Sequence, residues 1–162
     1  MYTKQDLVNS IRNELIILKH LWSKVNESNK DFGFSEIQRT NNQLLFYLSR
    51  ALPAQVKWFI EGKMDNNDMI DLKDRETSFD YNNFGTKIDE VTVNITELLA
   101  TVTDEQMNET IEIFWTPQER RLFLLDMLTF IGAYKMQLFL QLKSSGLKEL
   151  NTANLRMGID KA

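Results

Sequence analysis

Cysteine is absent from this chain of 162 residues. Disulfides, thiolate metal ligands, a cysteine nucleophile and thiol redox switching are therefore excluded. Histidine occurs once, at His20, so no site can be built from several imidazoles. Strong charge of one sign is also lacking. The net charge is −4 and no basic face stands out, which leaves no electrostatic footprint for nucleic acid. No uninterrupted apolar run approaches the roughly 20 residues that span a bilayer. The run Leu122 to Leu125, for instance, stops at Asp126. The opening stretch MYTKQDLVNS is polar and has no signal-peptide pattern. There is no phosphate-binding glycine-rich loop and no Gly-x-Ser-x-Gly elbow, and any Ser-His-Asp triad would depend on His20. The expectation is a cytoplasmic protein with neither a nucleic-acid nor a membrane partner.

What remains is the composition of an ordinary globular domain, 43% hydrophobic and 26% charged. The length fits one domain over residues 1–162. Two prolines and six glycines leave room for long regular elements. Leu7, Ile11, Leu15, Leu18, Trp22 and Val25 recur at three- and four-residue steps, which predicts a first helix from about Thr3 to Ser28. A connection follows over Asn29 to Thr40. Thr40 and Gln43 have capping-box spacing and Gly62 is a stop signal, so a second helix should run to Glu61, kinked at Pro53. Lys63 to Asn83 reads as a long polar loop. Its run of Asp65, Asp68, Asp71 and Asp74 lacks the pattern of an EF-hand and is best read as solvated. Ile88, Val91, Ile95, Leu98, Leu99 and Val102 form the stripe of a third helix, Thr86 to Val102. Thr110 to Trp115 looks extended. Thr116, Pro117 and Glu119 read as cap, first and third positions of a last helix reaching Ser145. Its core, Leu122 to Ile131, is apolar on almost every side and should lie centrally. The tail from Lys148 should pack back through Leu150, Leu155, Met157 and Ile159.

Three segments carry a resemblance: LIILKHLWSK at 15–24, QRTNNQLLFYLSRALP at 38–53, and TPQERRLFLLDMLTFIGAYKMQLFLQLKSSG at 116–146. Together the layout resembles the DinB-like (DinB/YfiT) superfamily across nearly the whole chain. The resemblance implies an all-α fold: an up-down four-helix bundle with a long connection between helices 2 and 3. It also implies a divalent metal held by three histidines, one from the second helix and two from the last. Anchored on Gln137, the two late positions fall on Phe130 and Tyr134, and the earlier one falls on or near Tyr47. The spacing survives while the ligands do not. A phenyl ring cannot coordinate a metal, and a neutral phenol is a poor ligand.

These positions define the candidate site. Phe130, Tyr134 and Gln137 share one helix face, and the resemblance brings Tyr47 opposite them. Either they form a pocket of phenols and an amide, or the rings fill a vacated metal cavity, with the hydroxyls serving one another. His20 joins the pocket candidates; otherwise it is a hydrogen-bonded residue at the bundle edge. Trp22, Trp58 and Trp115 read as core or interface anchors. The expected function is a DinB-like protein with no metal, no cofactor and no catalytic residues, binding a small molecule or a partner. One rival is a metal-dependent hydrolase or transferase with a relocated site, using His20 with Glu14 or Asp126. Another is a structural homodimer subunit, suggested by surplus aromatics such as Phe32, Phe34, Phe79 and Phe84.

Overall fold

A computed structural model describes residues 3–65, 67–70, 79–114 and 116–161. Helix α1 spans Lys4–Trp22, opened by a capping box between Thr3 and Asp6. It ends sooner than its apolar stripe. Asn26 and Asn29 compete for the backbone there: Asn29 Oδ1 accepts from the Asn26 N–H and Asn26 Oδ1 from the Ser28 N–H. Val25 is buried all the same, carried into the core by a turn.

Helix α2, Asn41–Glu61, begins and stops where its signals lie, with a Thr40–Gln43 capping box and Gly62 at φ +70°. Pro53 sits inside it without ending it. After it come the single turn α3 (Asn67–Ile70), a 3₁₀ turn (Tyr81–Asn83) and helix α4 (Phe84–Thr101). Asp71, Asp74, Trp115 and the side chains of Leu98 and Leu99 lie outside the described residues. Of the remaining acidic run, Asp68 is tied down, accepting from Lys57 Nζ at 2.8 Å and from the Trp58 indole at 2.9 Å.

The last long helix starts later than its sequence suggests. After the short α5 (Asp104–Met107), strands β1 (Thr110–Ile113) and β2 (Thr116–Glu119) form an antiparallel hairpin, with Ile113 opposite Thr116 and Thr110 opposite Glu119. The apparent capping sequence Thr116 to Glu119 is therefore a strand. Helix α6, Arg120–Ser144, begins at Arg120, and Glu119 makes no side-chain cap bond. Cross-strand pairing beats the local helix signal because β1 offers a partner for these backbone groups.

Four long helices pack in the cyclic order α1, α4, α2, α6. Named contacts give their directions. Lys4 meets the Val102 carbonyl and Lys19 meets Asp89, so α1 and α4 are antiparallel. Gln141 reaches Arg39 and Arg120 reaches Phe59, so α2 and α6 are antiparallel. Lys4 and Leu7 share a cavity with Arg121, so α1 and α6 start at the same end and run the same way, as α2 and α4 then do across their long connection. The core between them includes Ile11, Leu15, Leu18, Leu44, Leu48, Phe123 and Leu138.

Helix α6 is not buried all round. Leu122, Leu125, Met136 and Leu140 are each more than two-fifths exposed on one face. By length and composition α6 is apolar enough to cross a membrane, but its other face is built into the bundle against α1 and α2. In the tail, α7 (Thr152–Met157) docks on α1, with Leu150 and Ala153 buried and Leu155 partly so. Met157 and Ile159 stay exposed, contrary to the expected packing.

Candidate functional site

Antiparallel α2 and α6 bring Tyr47, Phe130 and Tyr134 together. Phe130 and Tyr134, one helical turn apart, meet edge-on with centroids 4.7 Å apart. The Tyr47 ring lies 5.3 Å from Tyr134 and 6.1 Å from Phe130. All three rings are partly buried and pack on the core. Separations of this size are ordinary aromatic contact, so the rings occupy the space between the helices themselves.

The Arg39 guanidinium lies over the outer face of Tyr47, 4.2 Å from the ring centroid, in cation–π geometry. Arg39 is fixed through its backbone, because its carbonyl accepts from the buried Gln141 Nε2 at 2.7 Å. Burial, first, and then the neighbouring Tyr134 hydroxyl push the Tyr47 phenol up to about 12, although the Arg39 charge pulls the other way. Tyr47 is therefore a neutral phenol throughout the physiological range. That bears directly on a metal. Two phenols, one of them holding its proton this firmly, and a phenyl ring do not form a set that fits a divalent ion. Among the described residues, no three of His, Asp and Glu converge as an alternative set.

Gln137 is half-buried one turn beyond Tyr134. Among the described residues no hydrogen bond joins it to either ring hydroxyl. The anchoring amide is Gln141, a further turn along. Neither Arg39 nor Gln141 was singled out for this site by sequence. Their only signal was polarity at the two helix ends that the antiparallel packing joins.

His20 lies elsewhere, between α1 and α7. Its Nε2 is 3.2 Å from Asn154 Nδ2 and 3.6 Å from Asp160 Oδ1, and its side chain is 15% exposed. Burial, then the nearby Lys24 charge, hold its pKa below the ordinary value, against the opposing pull of Asp160. The other two candidate acids are separate again. Glu14 is ion-paired with the buried Lys135 across the α1–α6 contact. Asp126 is exposed and accepts from Gln118 Nε2 at 2.9 Å. Three different sets of partners thus hold His20, Glu14 and Asp126.

A second feature that sequence reasoning missed is Arg120, the first residue of α6. Its guanidinium donates to the carbonyls of Phe59, Ile60 (3.0 Å) and Gln106 (3.3 Å) and pairs with Glu109 at 3.1 Å. A positive group on the last carbonyls of α2 satisfies acceptors that the helix end leaves open. The same residue ties α2 to the start of α6, which sets the register that brings Tyr47 to Tyr134.

No family model matches the chain, and no curated protein sequence does. Among solved structures, the chain is similar to a DinB-like protein, YjoA, from Bacillus subtilis. The TM-score is 0.70 at 18% identity, over 90% of this chain and 95% of that one. The likeness is one of fold, and the chain has the DinB-like fold.

Proposed function

We propose that this chain is a metal-free form of the DinB-like fold that works by binding a small molecule or a protein partner, without the metal-dependent chemistry that the resemblance implies. One observation carries the reading. Tyr47, Phe130 and Tyr134, at the positions where the resemblance puts ligands, are in mutual ring contact. The side of the cluster turned toward solvent offers the Arg39 cation stacked on Tyr47, a surface suited to a polar or anionic group. The rival enzyme reading needs His20 to act with Glu14 or Asp126, and the partners of those three residues favour structural roles for each.

Elemental analysis and calorimetric titration test the proposal, using protein purified without a metal-affinity tag. Wild-type protein should bind nickel, zinc and manganese with no stoichiometric site. The triple variant Tyr47→His, Phe130→His, Tyr134→His should gain one, because three imidazoles at these positions restore a competent ligand set. One tightly held divalent ion per wild-type chain would sink the proposal. Failure of the folded triple variant to bind metal would show that the three positions do not form a ligand geometry.

A further inference from the structure

One compact polar cluster holds the C-terminal segment to α1. The Asn151 backbone N–H, at the start of α7, donates to Asn154 Oδ1 at 2.8 Å. The Asn154 side chain is buried, and its Nδ2 donates to Asp160 Oδ1 at 2.9 Å. The same Nδ2 lies 3.2 Å from His20 Nε2 on α1. Asp160 is tied back to α1 a second time, with its Oδ2 2.6 Å from Lys24 Nζ. Apolar contact runs alongside. Ala153 is buried, and Gly158, at φ +64°, lies so close over Ile17 that a Cβ there would stand 3.3 Å from the Ile17 Cα.

These bonds fix the state of the His20 ring. An amide nitrogen donates through its two hydrogens and accepts nothing. One hydrogen of Asn154 Nδ2 serves Asp160 and the other serves His20, so Nε2 is the bare, accepting nitrogen and the ring is neutral. Turning the amide over gives no escape. It would set Nδ2 against the Asn151 N–H and the amide oxygen against the Asp160 carboxylate. A proton on Nε2 therefore meets a locked donor. Among the described residues two charges act on the ring, Lys24 of its own helix and Asp160 of the tail. Asp160 favours the cation, but at 3.6 Å it is beyond hydrogen-bond reach of Nε2 and already serves Lys24 and Asn154. Burial and Lys24 both oppose the cation and outweigh it. Freed from the tail, the ring is open to water and takes up a proton as an ordinary histidine does.

From this arrangement we propose that the segment Asn151 to Asp160 is a pH-operated clasp on α1, docked while His20 is neutral and released when the ring takes up a proton. Release uncovers Ile17, which is buried in the docked state. The polar bonds that break all join the tail to α1, so the four long helices keep their own contacts. Asp160 stays ionised throughout, because its bond to Lys24 holds the carboxyl below the ordinary range. The switch therefore turns on one proton, at His20. It shares no residue with the Tyr47 cluster and stands or falls separately from it.

NMR on isotopically labelled full-length protein tests this, with pH lowered from about 7.5 through the titration of the His20 ring. The ring resonances report protonation, and hydrogen exchange at the amides of Ala153 to Met157 reports docking. Protection of those amides should fall by up to about tenfold for each pH unit between the ordinary histidine value and the midpoint of the docked ring. Amides of α2 should keep their protection over the same range. In His20→Gln the side-chain oxygen accepts from Asn154 and takes up no proton, so the tail should stay docked at every pH. The clasp is overturned by any of three results: a tail that keeps its protection while the ring titrates, one that loosens equally in His20→Gln, or one that tightens as the ring is protonated. If His20→Gln proves unfolded, agreement or disagreement between the ring and tail midpoints in wild type decides the matter.

Discussion

At the scale of single residues, the structure separates two groups that sequence reasoning had placed in one pocket. Tyr47 belongs with Phe130 and Tyr134, whereas His20 belongs with Asn154 and Asp160. The fold prefers His20 neutral, because burial opposes its charge. A histidine with a folded pKa below its ordinary 6.5 contributes stability that is complete above that value. The contribution is lost as pH falls through the lower, folded value. Urea unfolding at about pH 7.5 and about pH 5.5 spans the ordinary histidine value and lies above the range of ordinary carboxylates. Wild-type protein should lose more stability across the interval than His20→Gln, and parallel losses would show that His20 is not the group responsible. Spacing made the shared face of Phe130, Tyr134 and Gln137 legible, whereas the place of Tyr47 opposite them was only what the resemblance implied. Arg39 and Gln141 were not legible, because their partnership exists only once the start of α2 meets the end of α6.

Among the elements, α2 was legible at both ends because each signal there is local. The capping box needs three residues, and Gly62 needs only its own φ of +70°. The start of α6 failed for the opposite reason. Thr116, Pro117 and Glu119 fit a helix start taken alone, but the ladder with Thr110–Ile113 is a nonlocal competitor that no single-segment pattern contains. The contact of α1 with α4 gives a sharper test of element packing. A Cβ on Gly85 would stand 2.4 Å from Cζ3 of Trp22. The indole has little freedom to retreat, as its Nε1 donates to the Tyr81 carbonyl at 2.6 Å and its ring packs 6.4 Å from Phe84. Gly85→Ala should therefore destabilise the protein by about 1–3 kcal/mol, the usual cost of overpacking, despite the better helix propensity of alanine. Thermal or urea unfolding measures this, and a variant as stable as wild type would mean that the helices separate at no cost.

Across the whole molecule, the apolar face left on α6 is the surface that bears on assembly. Leu125 and Met136 are eleven residues apart, three full turns, and so project the same way. Leu122 and Leu140 extend the strip toward both ends. This strip is the surface that the expected homodimer would use. Light scattering should give twice the monomer mass for wild type and the monomer mass for Leu125→Glu with Met136→Glu, with helix content unchanged by circular dichroism. A monomeric wild type would remove the dimer. Sequence alone hid this strip, because a helix apolar on nearly every side looks central, and only packing shows which side was left uncovered.

The contact of α1 with α6 also has a temporal consequence. Glu14 and Lys135 pair across it, so the first long helix made is completed by the last. At roughly 5–20 residues added per second, Glu14 is made about 6–24 s before Lys135. During that interval Leu15 and Leu18, which end fully buried, have no α6 to cover them. The nascent chain is then an incomplete bundle with a bare apolar flank, and protection by the cellular folding machinery matters most before the final helix is made.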